Sequence, residues 1–317
     1  MRRAEERSNQ YTAAMLVTRT AQAWTSVQHT LPYKLSQYFL PIIPTLLAIH
    51  FAHHSFNRIL FGMELLPITS IDKVLKHSQL EIPKTITKPL ILSLPESPRR
   101  RKQFFELTKA QVWPLFEGVR QLFRATWMSC ALSYSAMASL ALDAGVMRLA
   151  IAEDDVVLPE NFEHDIVIVE EYLDKVGNWD MFSGLIADLN PETKIYSAEV
   201  YKGVHFVTIN KMTSTVFNIY NTSLLQLLSK WDPMYENVLV NTIDRYIENQ
   251  VDLKIVVTVP FFVGHREEAK STIWEHSNTA YIDMITRSEL RLLALLKDFN
   301  AGMRDQESSI SKGQTAI

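Results

Sequence analysis

An apolar run, Leu149-Ala150-Ile151-Ala152, stops at three consecutive carboxylates, Glu153-Asp154-Asp155, and a second apolar run, Val156-Val157-Leu158, follows. A strand that delivers three acids at its tip concentrates like charge within a few ångströms. Each carboxylate then resists ionisation unless a cation lies among them. A divalent metal with oxygen ligands, Mn²⁺ or Mg²⁺, is the simplest such cation. A solvated acidic turn is the plainer reading of any acidic triplet. Here the apolar flanks put the acids where a strand ends, and open α/β sheets gather ligands at the carboxyl ends of their strands.

The surrounding pattern is α/β, with one mixed sheet flanked by helices. Leu90–Leu94 reads as a buried strand, and Pro95-Glu96-Ser97-Pro98 as a turn. Ser97 is placed to cap a helix that Pro98 opens and that runs to about Ala110. A second helix is expected from Ala125 to Ala144, ended by Gly145, and then the acid-tipped strand from Arg148. Phe162–Val176 reads as helix and Asp180–Ser183 as a short strand. Lys194–Ile209 reads as two antiparallel strands around Gly203. Ser223–Ser229 and Tyr235–Asn249 are expected helices, Leu253–Val259 a β-branched strand, and Met284–Phe299 an amphipathic helix. The last residues are polar and expected to be disordered.

Residues 1–85 have another character and form a helical N-terminal region, with 86–280 the catalytic-type domain and 281–317 a C-terminal helix and tail. His50, His53 and His54 share a helix face, as a polar surface or as metal ligands with no fourth visible nearby. Tyr38–Phe51 is broken by Pro41 and Pro44 and is shorter than the ~20 apolar residues of a membrane span. It is expected to be buried or interfacial, which leaves peripheral membrane association open. Met1–Gln10 is charged and no apolar leader follows, so a cytoplasmic location is expected.

With a net charge of −3, no basic field suggests nucleic acid. The single cysteine, Cys130, excludes an internal disulfide framework. Neither GxGxxG nor GxxxxGK[ST] occurs, so a Rossmann dinucleotide site and a P-loop are not indicated. Arg99-Arg100-Arg101-Lys102, at the start of a helix, suits phosphate oxygens or a solvated face.

Three segments resemble glycosyltransferase family 25, sugar transferases of the lipopolysaccharide type with a GT-A fold. They are Ile91–Arg101, Cys130-Ala131-Leu132-Ser133-Tyr134, and Glu153-Asp154-Asp155-Val156 in the position of the family's metal motif. Val259–His265 with Ser271-Thr272-Ile273 is a looser fourth match. Tyr134 stands where the family usually has His, and Thr213–Phe217 lacks the Gly and His of the corresponding family stretch.

The resemblance implies a metal-dependent hexosyltransferase of polysaccharide biosynthesis. It would use a nucleotide sugar, foremost a UDP-sugar, with a glycan, glycolipid or protein acceptor. Asp155, Asp154 and His265 would hold Mn²⁺ or Mg²⁺. Ser93, Leu94, Arg100, Arg101, Glu153 and Asp154 would bind the nucleotide sugar, Glu153 by orienting ribose or a ligand. Asp188, in a turn after a strand, and Asp244 are the two candidates for a general base that deprotonates an acceptor hydroxyl. Trp179 and Trp231 are candidates to stack on sugar rings. The alternatives are a catalytically degenerate transferase fold kept for binding, and a Mg²⁺-dependent nucleotidyl- or phosphotransferase.

Overall fold

The computed structural model describes residues 80–95, 97–108, 113–119, 124–266 and 279–314, with side chains up to Arg304. The helical region expected over residues 1–85 lies outside the described residues up to 79 and is not helical at 80–85, and the histidine face at His50 to His54 and Ser271-Thr272-Ile273 lie outside the described residues.

The architecture is α/β, one mixed sheet flanked by helices. Its strands are β1 (Leu90–Ser93), β2 (Leu115–Glu117), β3 (Arg148–Glu153), β5 (Met181–Ser183), β6 (Ile195–Tyr201), β7 (Val204–Ile209), β8 (Phe217–Asn221) and β9 (Ile255–Val259). They lie in the order β2-β1-β3-β8-β5-β9-β7-β6, with β4 (Val156–Val157) and β10 (Gly264–His265) paired beside the sheet. β1, β2 and β3 are mutually parallel, β8 runs antiparallel between β3 and β5, and β7 runs antiparallel to β9.

From β1 the chain crosses through α1 (Pro98–Thr108) to β2 on one flank. It returns through α2 (Thr126–Asp143) to β3 on the other flank. Phe104 of α1 packs with Ile91, Ala150 and α3 (Phe162–Val176) on one face of the sheet. Ala131, Tyr134 and Met137 of α2 pack with Leu90, Leu92 and Leu225 on the other. The two crossovers leave the carboxyl ends of β1 and β2 for opposite faces, and the chain order reverses between the neighbours β1 and β3, the place where doubly wound sheets bind ligands. α2 is rich in Ala, Ser and Met and is buried along most of its length, so it lies against the sheet and α4 (Thr222–Leu228) without a polar face.

Several expectations differ from the observed elements. The helix expected over Tyr235–Asn249 is two short ones, α5 (Val238–Asn241) and α6 (Ile243–Glu248), because Thr242 between them is extended, at φ −60° and ψ 149°. β8 was not expected, since Asn218 and Asn221 are poor strand formers. Asn218 is fully buried there, its amide donating to Ser214 O and to the Tyr220 hydroxyl, both at 2.9 Å. The C-terminal helix, α7 (Thr279–Gln314), is longer than expected and continues through residues expected to be disordered. It joins the main core at the buried Leu292, and Ser288 fixes it by accepting from Leu189 N and donating to Ala187 O. The Ser288–Leu292 stretch of α7 is thus part of the same packed body. Among the described residues, no helix is long and apolar enough to cross a membrane.

Candidate functional site

The carboxyl ends of β1 and β3 deliver the central cluster. Ser93 closes β1, and its hydroxyl donates to Asp154 Oδ2 at 2.6 Å. One turn into α1, Arg100 bonds Asp154 Oδ1 and lies 3.0 Å from Asp155 Oδ2. Its partner on the same face is Phe104, one turn on and fully buried, which anchors the helix against the sheet.

His265 reaches the cluster from far along the chain. β10 pairs antiparallel with β4, His265 opposite Val156, and Arg266 N donates to Asp155 O at 2.9 Å. That register sets His265 Nε2 3.4 Å from Asp155 Oδ2. The approach is tight underneath. Gly184 N donates to Phe217 O and Gly184 O accepts from Val263 N. A Cβ at Gly184 would lie 2.8 Å from Phe217 Cδ1 and 3.0 Å from Val263 Cγ2.

The electrostatics separate the three acids. Burial pushes Asp155 up, but the bond to His265 and the Arg100 charge outweigh it and hold Asp155 at about 2. Burial raises Asp154 above the ordinary carboxylate value, against the pull of Arg100. Burial, reinforced by the Asp155 charge, lifts Glu153 to about 7. Hydrogen bonds that Glu153 accepts pull its value back down. The Tyr134 hydroxyl lies 2.9 Å from both Glu153 Oε1 and Thr215 O. Both oxygens are acceptors for the one Tyr134 hydroxyl proton, which serves one of them at a time.

A cavity of about 480 Å³ opens beside this cluster, with Arg100, Glu153, Asp155, Asp244, His265 and Tyr281 in its wall. A smaller one of about 50 Å³ lies beyond Arg100 and Glu153, lined by Ser93, Leu94, Ser97 and Asp154. Ser93, Leu94, Arg100, Glu153, Asp154, Asp155 and His265 are therefore brought together, as expected of a single site. Arg101 is not with them: its guanidinium pairs with Glu117 at 3.1 Å, because it points off the next face of α1. Asp244 lines the larger cavity while accepting from Arg245 N at 2.8 Å. Asp188 is outside the cavity lining and faces Arg245 at 3.6 Å.

The two tryptophans expected to stack on sugars do not reach the cavity. Trp179 is core, with the Arg148 guanidinium over its ring, and Trp231 is core with its indole N–H on Asn241 O. Trp127, which sequence reading passed over, lines the cavity instead, as does Cys130. Ser214 and Thr242, also passed over, belong to the same lining.

The donor set suits a hard divalent cation. Asp155 Oδ1 is buried with no hydrogen-bond partner among the described residues. A buried orphan carboxylate oxygen is where a cation or ordered water belongs. No group of three or more His, Cys, Asp or Glu is arranged to hold a metal among the described residues. Two protein donors still fit an ion such as Mg²⁺, which is commonly bound through one or two carboxylates with substrate phosphate and water completing the shell.

No family model matches the chain, and no curated protein does. Among solved structures, the chain is similar to A197 from STIV at 12% identity and a TM-score of 0.34, the match covering 59% of this chain and 97% of that one.

Proposed function

We propose that this chain is a metal-dependent glycosyltransferase that moves a sugar from a nucleotide sugar to a glycan, glycolipid or protein acceptor. The observation that carries the reading is the meeting of Asp155 and His265, 3.4 Å apart, on the wall of a cavity large enough for a sugar diphosphate.

Asp155 and His265 would hold Mn²⁺ or Mg²⁺, with Asp154 close behind. The cation, when bound, neutralises the charge that develops on a departing diphosphate. Ser93 and Arg100 fix the Asp154 carboxylate from two sides, so the acidic tip is preorganised rather than swept into place by a ligand. Arg100 lies in the wall of both cavities, where its guanidinium suits phosphate oxygens. The smaller cavity, bounded by Ser93 and Leu94, suits the nucleoside end. Asp244, in the wall of the larger one, is better placed than Asp188 to take a proton from an acceptor hydroxyl.

A second reading, a binding protein on a degenerate transferase fold, is favoured by one observation: Arg100 pairs with both Asp154 and Asp155. Such pairing would serve equally to neutralise two acids that never meet a metal.

A thermal-shift screen against UDP-, GDP- and CMP-sugars, each with and without Mn²⁺, separates the two. A ligand of the folded state stabilises by about 2.7 kcal/mol at a hundredfold excess over its dissociation constant. Transfer predicts a shift with one nucleotide class that needs Mn²⁺ and disappears in Asp155→Ala. No shift with any of them supports the degenerate fold.

A further inference from the structure

The loop that runs into α5 carries the densest group of exposed apolar side chains among the described residues. Met234 is 65% exposed, Tyr235 50%, Val238 39% and Leu239 77%. A single exposed hydrophobic is ordinary on a protein surface, whereas a contiguous group marks a place of contact. Two of the four, Val238 and Leu239, also line the large cavity, so the group stands at its mouth.

The loop is built to keep these side chains outward. Its polar groups are satisfied from within. The Asn237 side chain accepts from Leu239 N at 3.0 Å, and the buried Asn241 amide donates to Asp232 O at 2.9 Å and to Tyr235 O at 2.6 Å. Arg124, just before α2, donates to Pro233 O at 3.2 Å and pairs with Glu236. A loop held in this way offers its apolar surface without first having to order itself around a ligand.

The neighbourhood of Asp244 says what that surface suits. Asp244 lies on the same short stretch as Val238 and Leu239, and Ile243 beside it is also in the cavity wall. Trp127 of α2 and Ile285 of α7 add two further apolar side chains to the lining. A hydroxyl that reaches Asp244 is thus carried past aliphatic and aromatic surface, which rewards an apolar body by removing it from water. The arginines at either end of the stretch are already matched by acids, Arg124 by Glu236 and Arg245 by Glu248 at 2.6 Å. An uncharged body therefore fits here better than an anionic one, the face of an acidic bilayer included.

We infer that Val238 and Leu239 form an apolar lip that selects the acceptor: an alcohol whose hydroxyl sits on an aliphatic or aromatic body rather than on a sugar ring. The inference rests on the sugar-transfer reading for what the bound alcohol undergoes. In that step Asp244 takes the hydroxyl proton, the freed oxygen bonds the sugar carbon, and the diphosphate leaves with the electrons of the bond that breaks.

Saturation-transfer NMR and calorimetry on the full chain, with UDP and Mn²⁺ present, test this. The probes are octanol and propylphenol as apolar alcohols, glycerol and methyl glucoside as polar ones, and vesicles of zwitterionic or acidic phospholipid. The apolar alcohols are expected to bind about tenfold or more tighter than the polar ones. Leu239→Ser, at a position too exposed for the fold to depend on it, is expected to weaken them by about tenfold, the lower end of what burying one leucine contributes. Met234→Ser, on the same loop but outside the cavity lining, should leave them unchanged. UDP–Mn²⁺ affinity should be that of the wild type in both variants. Equal binding of the polar alcohols, undiminished binding in Leu239→Ser, or an equal loss in Met234→Ser would overturn the inference. Vesicle binding that both variants abolish, without binding of the single alcohols, would overturn it in favour of a bilayer. Octanol binding that needs Leu239 in a protein that takes up no UDP–Mn²⁺ would uphold the lip and remove the transfer reading. UDP–Mn²⁺ binding with no binding of apolar alcohols would do the reverse.

Discussion

His265 Nε2 lies 3.4 Å from Asp155 Oδ2, and the two residues meet because Val263 can settle against Gly184. A side chain at Gly184 would collide with Phe217 and Val263. Gly184→Ala is therefore expected to cost about 1–3 kcal/mol, as overpacking does, and to displace the segment that carries His265. Urea melts read the stability, and Mn²⁺ titration of the folded variant should show weaker binding. A variant with wild-type Mn²⁺ affinity would disconnect Gly184 from the site.

Arg100 holds Asp154 and Asp155 together as a cation would. Removing one partner of a largely buried charge pair costs about 3 kcal/mol. Arg100→Ala should lose stability of that order without metal. Because the freed carboxylates need a cation more, Mn²⁺ should raise the melting temperature of Arg100→Ala further than that of the wild type. Equal shifts would place Mn²⁺ away from these acids.

Glu153 sets a pH dependence of definite sign. Its folded value of about 7 lies above its ordinary value of 4.5. The folded state then binds the proton more tightly than the unfolded one. The stabilisation is fully present below pH 4.5 and is lost as pH rises to about 7. Asp155, held at about 2 against an ordinary 3.8, acts oppositely, its contribution being lost as pH falls below 3.8. Glu153→Gln should flatten the decline in urea-melt stability between pH 4.5 and 7. An unchanged slope would show that Glu153 stays ionised.

Tyr134→Phe removes the hydroxyl shared by Glu153 and Thr215 O. Leaving buried acceptors unsatisfied costs about 1–3 kcal/mol. The expected result is a loss of that size in chemical denaturation, with the fold retained by circular dichroism. No loss would mean that water replaces the hydroxyl.

The sequence carried the strand that ends at Glu153 because a run of apolar residues meeting acids has few other solutions in an α/β chain. It carried α1 because Ser97 and Pro98 mark a helix start, and the β6–β7 hairpin because Gly203 marks a turn with φ 82°. It concealed β8, whose asparagines find partners only once the sheet exists. It concealed the break at Thr242, where tertiary contacts override a continuous helical pattern. Of the site, the Asp154–Asp155 tip was readable locally, and His265 entered only through family resemblance, since a pair of two-residue strands sets its register. Arg100 and Arg101 are neighbours with the same propensities, and only packing of α1 sends one to the acids and the other to Glu117.

The most direct test of the central claim is calorimetric titration of Mn²⁺ in the presence of UDP, on wild type, Asp155→Ala and His265→Ala. Asp155 and His265 as metal ligands predict one Mn²⁺ bound per wild-type chain in the presence of UDP. They also predict at least a tenfold loss of affinity in each variant, since even outer-shell changes at metal sites cost 10- to 100-fold. Wild-type Mn²⁺ affinity in both variants, or no Mn²⁺ uptake by the wild type, would contradict the account and leave the acidic tip as an arginine-neutralised turn.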